Sequence, residues 1–92
     1  MADIVWPQSI LDLLLDLTPK EQEIILEKVR RLEEFPNLYP VRSEGRFRGC
    51  RWLLAGNWLV YYRVVGNTVY VRGLWPARIP LEGDSAADRD DG

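Results

Sequence analysis

The chain has no histidine and a single cysteine, Cys50, among its 92 residues. Without imidazole, any catalytic scheme loses its commonest general base and any zinc site its commonest ligand. One thiol cannot build a disulfide framework, and a lone cysteine on a strand serves as a small apolar filler. No metal or cofactor is expected. Long hydrophobic runs are also lacking. The most apolar stretch, residues 10–17, is interrupted by Asp12 and Asp16 and is too short to cross a bilayer. No basic segment leads into an apolar run and a cleavage site, so no secretory signal is expected. These absences predict a soluble, cytoplasmic protein with no membrane partner.

At 92 residues the default is one small domain that draws its stability from one core. The net charge of −2 conceals segregation. Residues 1–40 carry eight acids against four bases, a net −4. Residues 41–80 carry seven arginines against one acid, Glu44, a net +6. Residues 81–92 carry five acids against Arg89, a net −4. An arginine-only basic stretch interleaved with Trp and Tyr suits an acidic partner. The plainer alternative is a solvated sheet face.

The basic stretch, residues 46–78, reads as three short strands joined by tight turns at Gly56-Asn57 and Gly66-Asn67. Glycine takes positive φ freely, and Gly in the first loop position suggests type II′ turns. Two-residue loops fix a register, and a register fixes faces. The first hairpin is predicted to pair Ala55 with Trp58, Leu53 with Val60 and Cys50 with Arg63. The second is predicted to pair Val65 with Thr68, Tyr61 with Arg72 and Leu59 with Leu74. One face then carries Phe47, Leu53, Trp58, Val60, Tyr62, Val64, Val69, Val71 and Trp75, and should be buried. The other carries Arg46, Arg48, Trp52, Leu59, Tyr61, Arg63, Tyr70, Arg72 and Leu74. Arginine mixed with aromatic rings is typical of surfaces that bind a partner. Arg51 falls on the apolar face; a bulge at Gly49 turns it outward, or else its stem is buried and its head reaches the rim.

Ahead of the strands, residues 3–6 form a short extended segment. Residues 8–17 have helical spacing with a wide apolar stripe. Thr18, Pro19 and Glu21 make a capping box that opens a second helix over 19–35, stopped by Pro36. A very short link makes the two helices antiparallel neighbours. Pro76 and Pro80 end strand pairing near Trp75. Residues 81–92 have almost no apolar side chains and are expected to be a disordered acidic tail, solubilising or folded back on the arginine face. The fold class is therefore α+β. An N-terminal short strand and a helical hairpin pack on one face of a small antiparallel sheet, and the other face stays open and basic.

Three runs carry a family resemblance: Gly49-Cys50-Arg51-Trp52-Leu53, Trp58-Leu59-Val60-Tyr61-Tyr62-Arg63-Val64, and Val69 through Arg78. In this order they resemble the RelE/ParE superfamily of bacterial type II toxins, and most closely its ParE-like plasmid-stabilisation branch. The likeness spans roughly residues 4–80. It implies a RelE/ParE toxin domain over 1–80 and a cognate antitoxin whose extended segment wraps the toxin. It implies growth arrest through a cellular target, DNA gyrase or, alternatively, the ribosome and its mRNA. A homodimer and a toxin–antitoxin hetero-oligomer both remain open.

Departures from the family pattern bear on chemistry. Attack of a ribose 2′-OH on phosphate needs a base, an acid and cations. The family's common histidine is replaced by Trp75, and the basic positions of the central strands read Leu59, Trp52 and Leu54. No catalytic residue is assigned, and gyrase binding is favoured over mRNA cleavage. A toxin fold that has lost its toxicity is the third reading. The expected target- or antitoxin-binding residues are Arg46, Arg48, Arg51, Arg63, Arg72, Arg78, Trp52, Tyr61 and Tyr70. Arg51, Arg63, Arg72 and Arg78 occupy positions that match the family motifs, although Gly73 and Pro76 beside them deviate.

Overall fold

A computed structural model describes residues 1–77. Arg78 and the acidic segment 81–92 lie outside the described residues. The elements run β1 (Asp3–Val5), α1 (Gln8–Leu15), α2 (Pro19–Arg30) with a 3₁₀ turn (Arg31–Glu33), β2 (Arg51–Ala55), β3 (Trp58–Val65) and β4 (Thr68–Pro76). The helices cover one face of a four-stranded sheet ordered β1-β4-β3-β2, which gives the expected α+β class. The sheet is mixed rather than wholly antiparallel. β1 joins the edge parallel to β4, pairing Ile4 with Val69; parallel pairing needs a long crossover, and the segment carrying the helices provides it.

The local signals account for most boundaries. Thr18 Oγ1 accepts from the Glu21 N–H at 3.2 Å, and Glu21 Oε1 accepts from the Thr18 N–H at 3.0 Å. These bonds satisfy helix-end donors that would otherwise be orphaned. Gly56 and Gly66 have φ of 61° and 60°, whereas Asn57 and Asn67 stay at negative φ. That fits type II′ turns and excludes I′, which needs positive φ at both positions.

The first hairpin keeps the expected register from Ala55↔Trp58 through Leu53↔Val60, but it ends at Arg51↔Tyr62. Cys50 is buried outside the ladder and does not pair with Arg63. The second hairpin starts as expected at Val65↔Thr68 and then slips. Tyr62 pairs with Val71 but Tyr61 pairs with Gly73, so Arg72 is the extra residue of a bulge in β4. One added residue exchanges every face beyond it. Leu59 therefore opposes Trp75 instead of Leu74, Leu74 turns into the core and Trp75 turns out.

The inner face buries Leu53, Ala55, Val60, Tyr62, Val69, Val71 and Leu74 against Leu14, Ile25, Val29 and Leu32. Each large side chain fully removed from water contributes about 1.5–3 kcal/mol. Trp58 closes one border, its indole N–H donating to Glu21 Oε2 at 3.1 Å. Residues 40–42 run back beside β2. Trp52 N donates to Pro40 O at 3.2 Å, and Arg42 N donates to Cys50 O at 2.7 Å. This short pairing covers an edge that would otherwise invite another chain.

Two further expectations are corrected here. Phe47 is not on the helix-facing side. The bulge proposed at Gly49 does not turn Arg51 outward. Arg51 keeps its inward register, and its Nη1 donates to the Tyr39 carbonyl at 2.6 Å, so its stem is partly buried and its head is held at the rim.

Candidate partner-binding face

Outward positions of β2, β3 and β4 alternate with the core positions, so Trp52, Tyr61, Arg63 and Tyr70 share the face away from the helices. Trp52 opposes Tyr61, and Tyr70 opposes Arg63. Arg72 is exposed at the bulge. The slip adds Trp75 to this face and places Gly73, with no side chain, beside Tyr61.

Gly73 makes room for the loop. Residues 42–49 fold across the sheet and set the Phe47 ring on Tyr61, with centroids 4.3 Å apart and planes 11° from parallel. The same ring meets Trp75 edge-on at 6.4 Å. A Cβ on Gly73 would stand 2.5 Å from Phe47 Cζ, inside any carbon–carbon contact. Phe47 reaches this position with φ of 67°, a left-handed conformation that costs a bulky residue about 1–3 kcal/mol. Its stacking and burial offset that cost. Tyr61 is consequently only 7% exposed and serves as the floor of the site.

Two guanidinium groups complete the cluster. Arg42 lies 5.8 Å from the Tyr61 centroid and Arg46 lies 5.4 Å from the Trp75 centroid. Both distances are within cation–π range, where an exposed pair contributes about 0.5–1 kcal/mol. With Phe47, Tyr61 and Trp75, these arginines line a shallow depression of about 470 Å³. Arg42 Nε is buried with no hydrogen-bond partner among the described residues. From Val41 to Ala77 the sequence has one carboxylate, Glu44, so the face has almost no internal neutralisation. Its chemistry is complementary to anionic and aromatic or apolar groups together.

Of the residues singled out by sequence, Arg46 and Tyr61 are in the depression. Trp52, Arg63, Tyr70 and Arg72 flank it on the same sheet face, and Arg48 is exposed in the crossing loop. Arg51 is not brought to this face; it anchors Tyr39 instead. Arg78 is outside the described residues. Sequence reasoning missed Arg42, Phe47 and Trp75. The available signal was Gly73: an isolated glycine in a run of β-branched and aromatic residues marks a bulge or a close backbone approach, and here it marks both.

A second concavity, of about 830 Å³, lies on the helix side. Ile4, Trp6, Leu26 and Val29 supply its apolar lining, and among the described residues Glu23, Glu27 and Glu33 against the single cation Arg30 leave its rim net acidic. The two sides thus differ in charge sign. Among the described residues there is no cluster of three candidate metal ligands, and no helix is long and apolar enough to cross a membrane.

No family model and no curated protein matches this chain.

Proposed function

We propose that the chain is the toxin of a bacterial type II toxin–antitoxin module. It acts by docking on a cellular target, with DNA gyrase preferred, and is neutralised by a cognate antitoxin that covers the same face. The supporting observation is the cluster of Arg42, Arg46, Phe47, Tyr61 and Trp75, held in place by a loop threaded over Gly73. Rigid aromatics flanked by arginine are the composition of binding hot spots. The β-α-α-β-β-β element order is the one the motif resemblance leads one to expect.

Docking is preferred to RNA cleavage on chemical grounds. The cluster offers cations for a phosphate but no imidazole, its tyrosine is buried under Phe47, and between Val41 and Ala77 the only carboxylate is Glu44 in an exposed loop. Transfer of a proton from a ribose hydroxyl needs an acceptor within about 3 Å of it. The antitoxin fits as an acidic, partly apolar segment, which satisfies guanidinium groups and covers aromatic rings together.

The test is induction in bacterial cells with and without the neighbouring gene product, followed by gyrase-supercoiling and ribosome-bound mRNA cleavage assays on the purified protein. The expected result is growth arrest relieved by co-expression, supercoiling inhibited and mRNA intact, with Arg46→Ala and Trp75→Ala both losing the effect. Cleavage without supercoiling inhibition reverses the assignment to an endonuclease. Harmless expression removes the toxin reading and leaves a binding module.

A further inference from the structure

We propose that the acidic segment 81–92 of this same chain occupies the arginine–aromatic face in cis, so that an acidic partner binds by displacing it. The proposal rests on the docking face described above and adds its regulation.

Charge is the first reason. The segment has a net −4, while the face presents Arg42, Arg46, Arg63 and Arg72 with Glu44 as the single acid in residues 41–77. The helix side is the poorer destination, because Glu23, Glu27 and Glu33 outnumber Arg30, the one cation among the described residues lining its groove. Geometry is the second reason. The described chain ends at Ala77, whose N–H donates to Asn57 O at 2.8 Å. That point is two residues past Trp75, which lines the depression. Glu82 follows Ala77 by five residues and Asp91 by fourteen. For comparison, a random chain of five to fourteen residues has a root-mean-square reach of about 12–20 Å, and the strand from Trp75 back to Tyr70 in the Arg63–Tyr70 row is about 17 Å long. Proximity is the third. A tether this short gives an effective concentration on the order of 1 mM. Carboxylates with an intermolecular Kd on the order of 0.1 mM for the face would then hold it about nine-tenths of the time, weakening any acidic competitor about tenfold.

The experiment uses the full chain and a fluorescein-labelled ten-residue oligo-aspartate as probe, with binding read by anisotropy at low salt. A variant carrying Glu82→Gln, Asp84→Asn, Asp88→Asn, Asp90→Asn and Asp91→Asn should bind the probe about tenfold more tightly than the parent. A matched variant that neutralises Asp12, Glu23, Glu27, Glu33 and Glu34 has the same net charge and should show no comparable gain. The gain should also vanish in an Arg46→Ala, Arg63→Ala background and at 1 M salt, where the screening length is about 3 Å. Equal gains from the two neutralised variants would reduce the effect to overall charge and overturn the proposal. If neutralising 81–92 changes nothing while Arg46→Ala weakens the probe, the cis contact is wrong and the docking face stands. If neither change moves the affinity, the docking face falls as well. Probe binding that weakens as protein concentration rises would put a second copy on the face and also overturn the cis assignment.

Discussion

Gly73→Ala is the most incisive single change, because one methyl group is enough to dislodge the loop that builds the face. The added Cβ would lie 2.5, 2.8 and 3.3 Å from three atoms of the Phe47 ring, against an optimum near 3.5–4.0 Å. The ring must withdraw by about 1 Å or more. Withdrawal forfeits the stack on Tyr61, about 1 kcal/mol, and re-exposes parts of both rings, about 2 kcal/mol. Restricting the unfolded chain returns about 0.4–1 kcal/mol, since Gly73 has an ordinary strand backbone that alanine accepts. The net expectation is a loss of about 2 kcal/mol. For a domain of this size that lowers Tm by about 10 °C, followed by circular dichroism. Oligo-aspartate binding should weaken in parallel, because the withdrawn ring carries Arg46 away from Trp75. The decisive arm is a double-mutant cycle. In a Phe47→Ala background the clash is gone, and Gly73→Ala should become neutral or stabilising. An equal loss in both backgrounds, or no loss in the parent, refutes the reasoning.

The remaining predictions separate fold from face. Arg51→Ala should cost about 1.5–3 kcal/mol by removing the charged hydrogen bond to Tyr39 while leaving oligo-aspartate binding unchanged; Arg46→Ala should do the reverse in the same two assays. Tyr62→Phe should be neutral or stabilise by up to about 1 kcal/mol in urea denaturation, because its buried hydroxyl has the Tyr39 backbone nearby but forms no hydrogen bond of proper geometry. Burial pushes the Tyr62 phenol above its ordinary value, so the fold carries no ionisation penalty from it below about pH 10 and loses stability as pH rises further. Whatever difference separates parent and Tyr62→Phe at neutral pH should therefore stay constant up to about pH 10 and widen in alkali. The Thr18 N–H, and then the Trp58 indole, hold Glu21 below the ordinary carboxylate range. Their contribution is complete above about pH 4.3 and fades as pH falls through that value and below. Glu21→Gln should flatten this acid limb of Tm against pH.

The local chemistry of the strands was legible, and the way their outer face closes was not. Strict alternation at Leu53, Val60, Tyr62, Val69 and Val71 announces the buried side, and the glycine–asparagine pairs announce the turns. Arg72 gave no such notice as a bulge residue. From sequence, Phe47 and Trp75 looked like core while Leu74 looked like surface. The β4 slip and the left-handed Phe47 reverse all three. Arg51 shows the same limit. Its inward register follows from counting, but its partner is a loop carbonyl twelve positions away.

What the sequence determined alone was whatever a few neighbouring residues decide: the Thr18–Glu21 cap, the two type II′ turns, the helix-facing row of aliphatics and the concentration of arginine after residue 40. Tertiary structure decided what depends on distant segments meeting. β1 lies parallel beside β4, residues 40–42 close the β2 edge, and Phe47 settles over Gly73 to convert a flat row of rings and guanidinium groups into a depression. Local propensities act over one turn or one two-residue repeat. A bulge and a crossing loop are chosen by the packing of side chains that only the folded chain brings together.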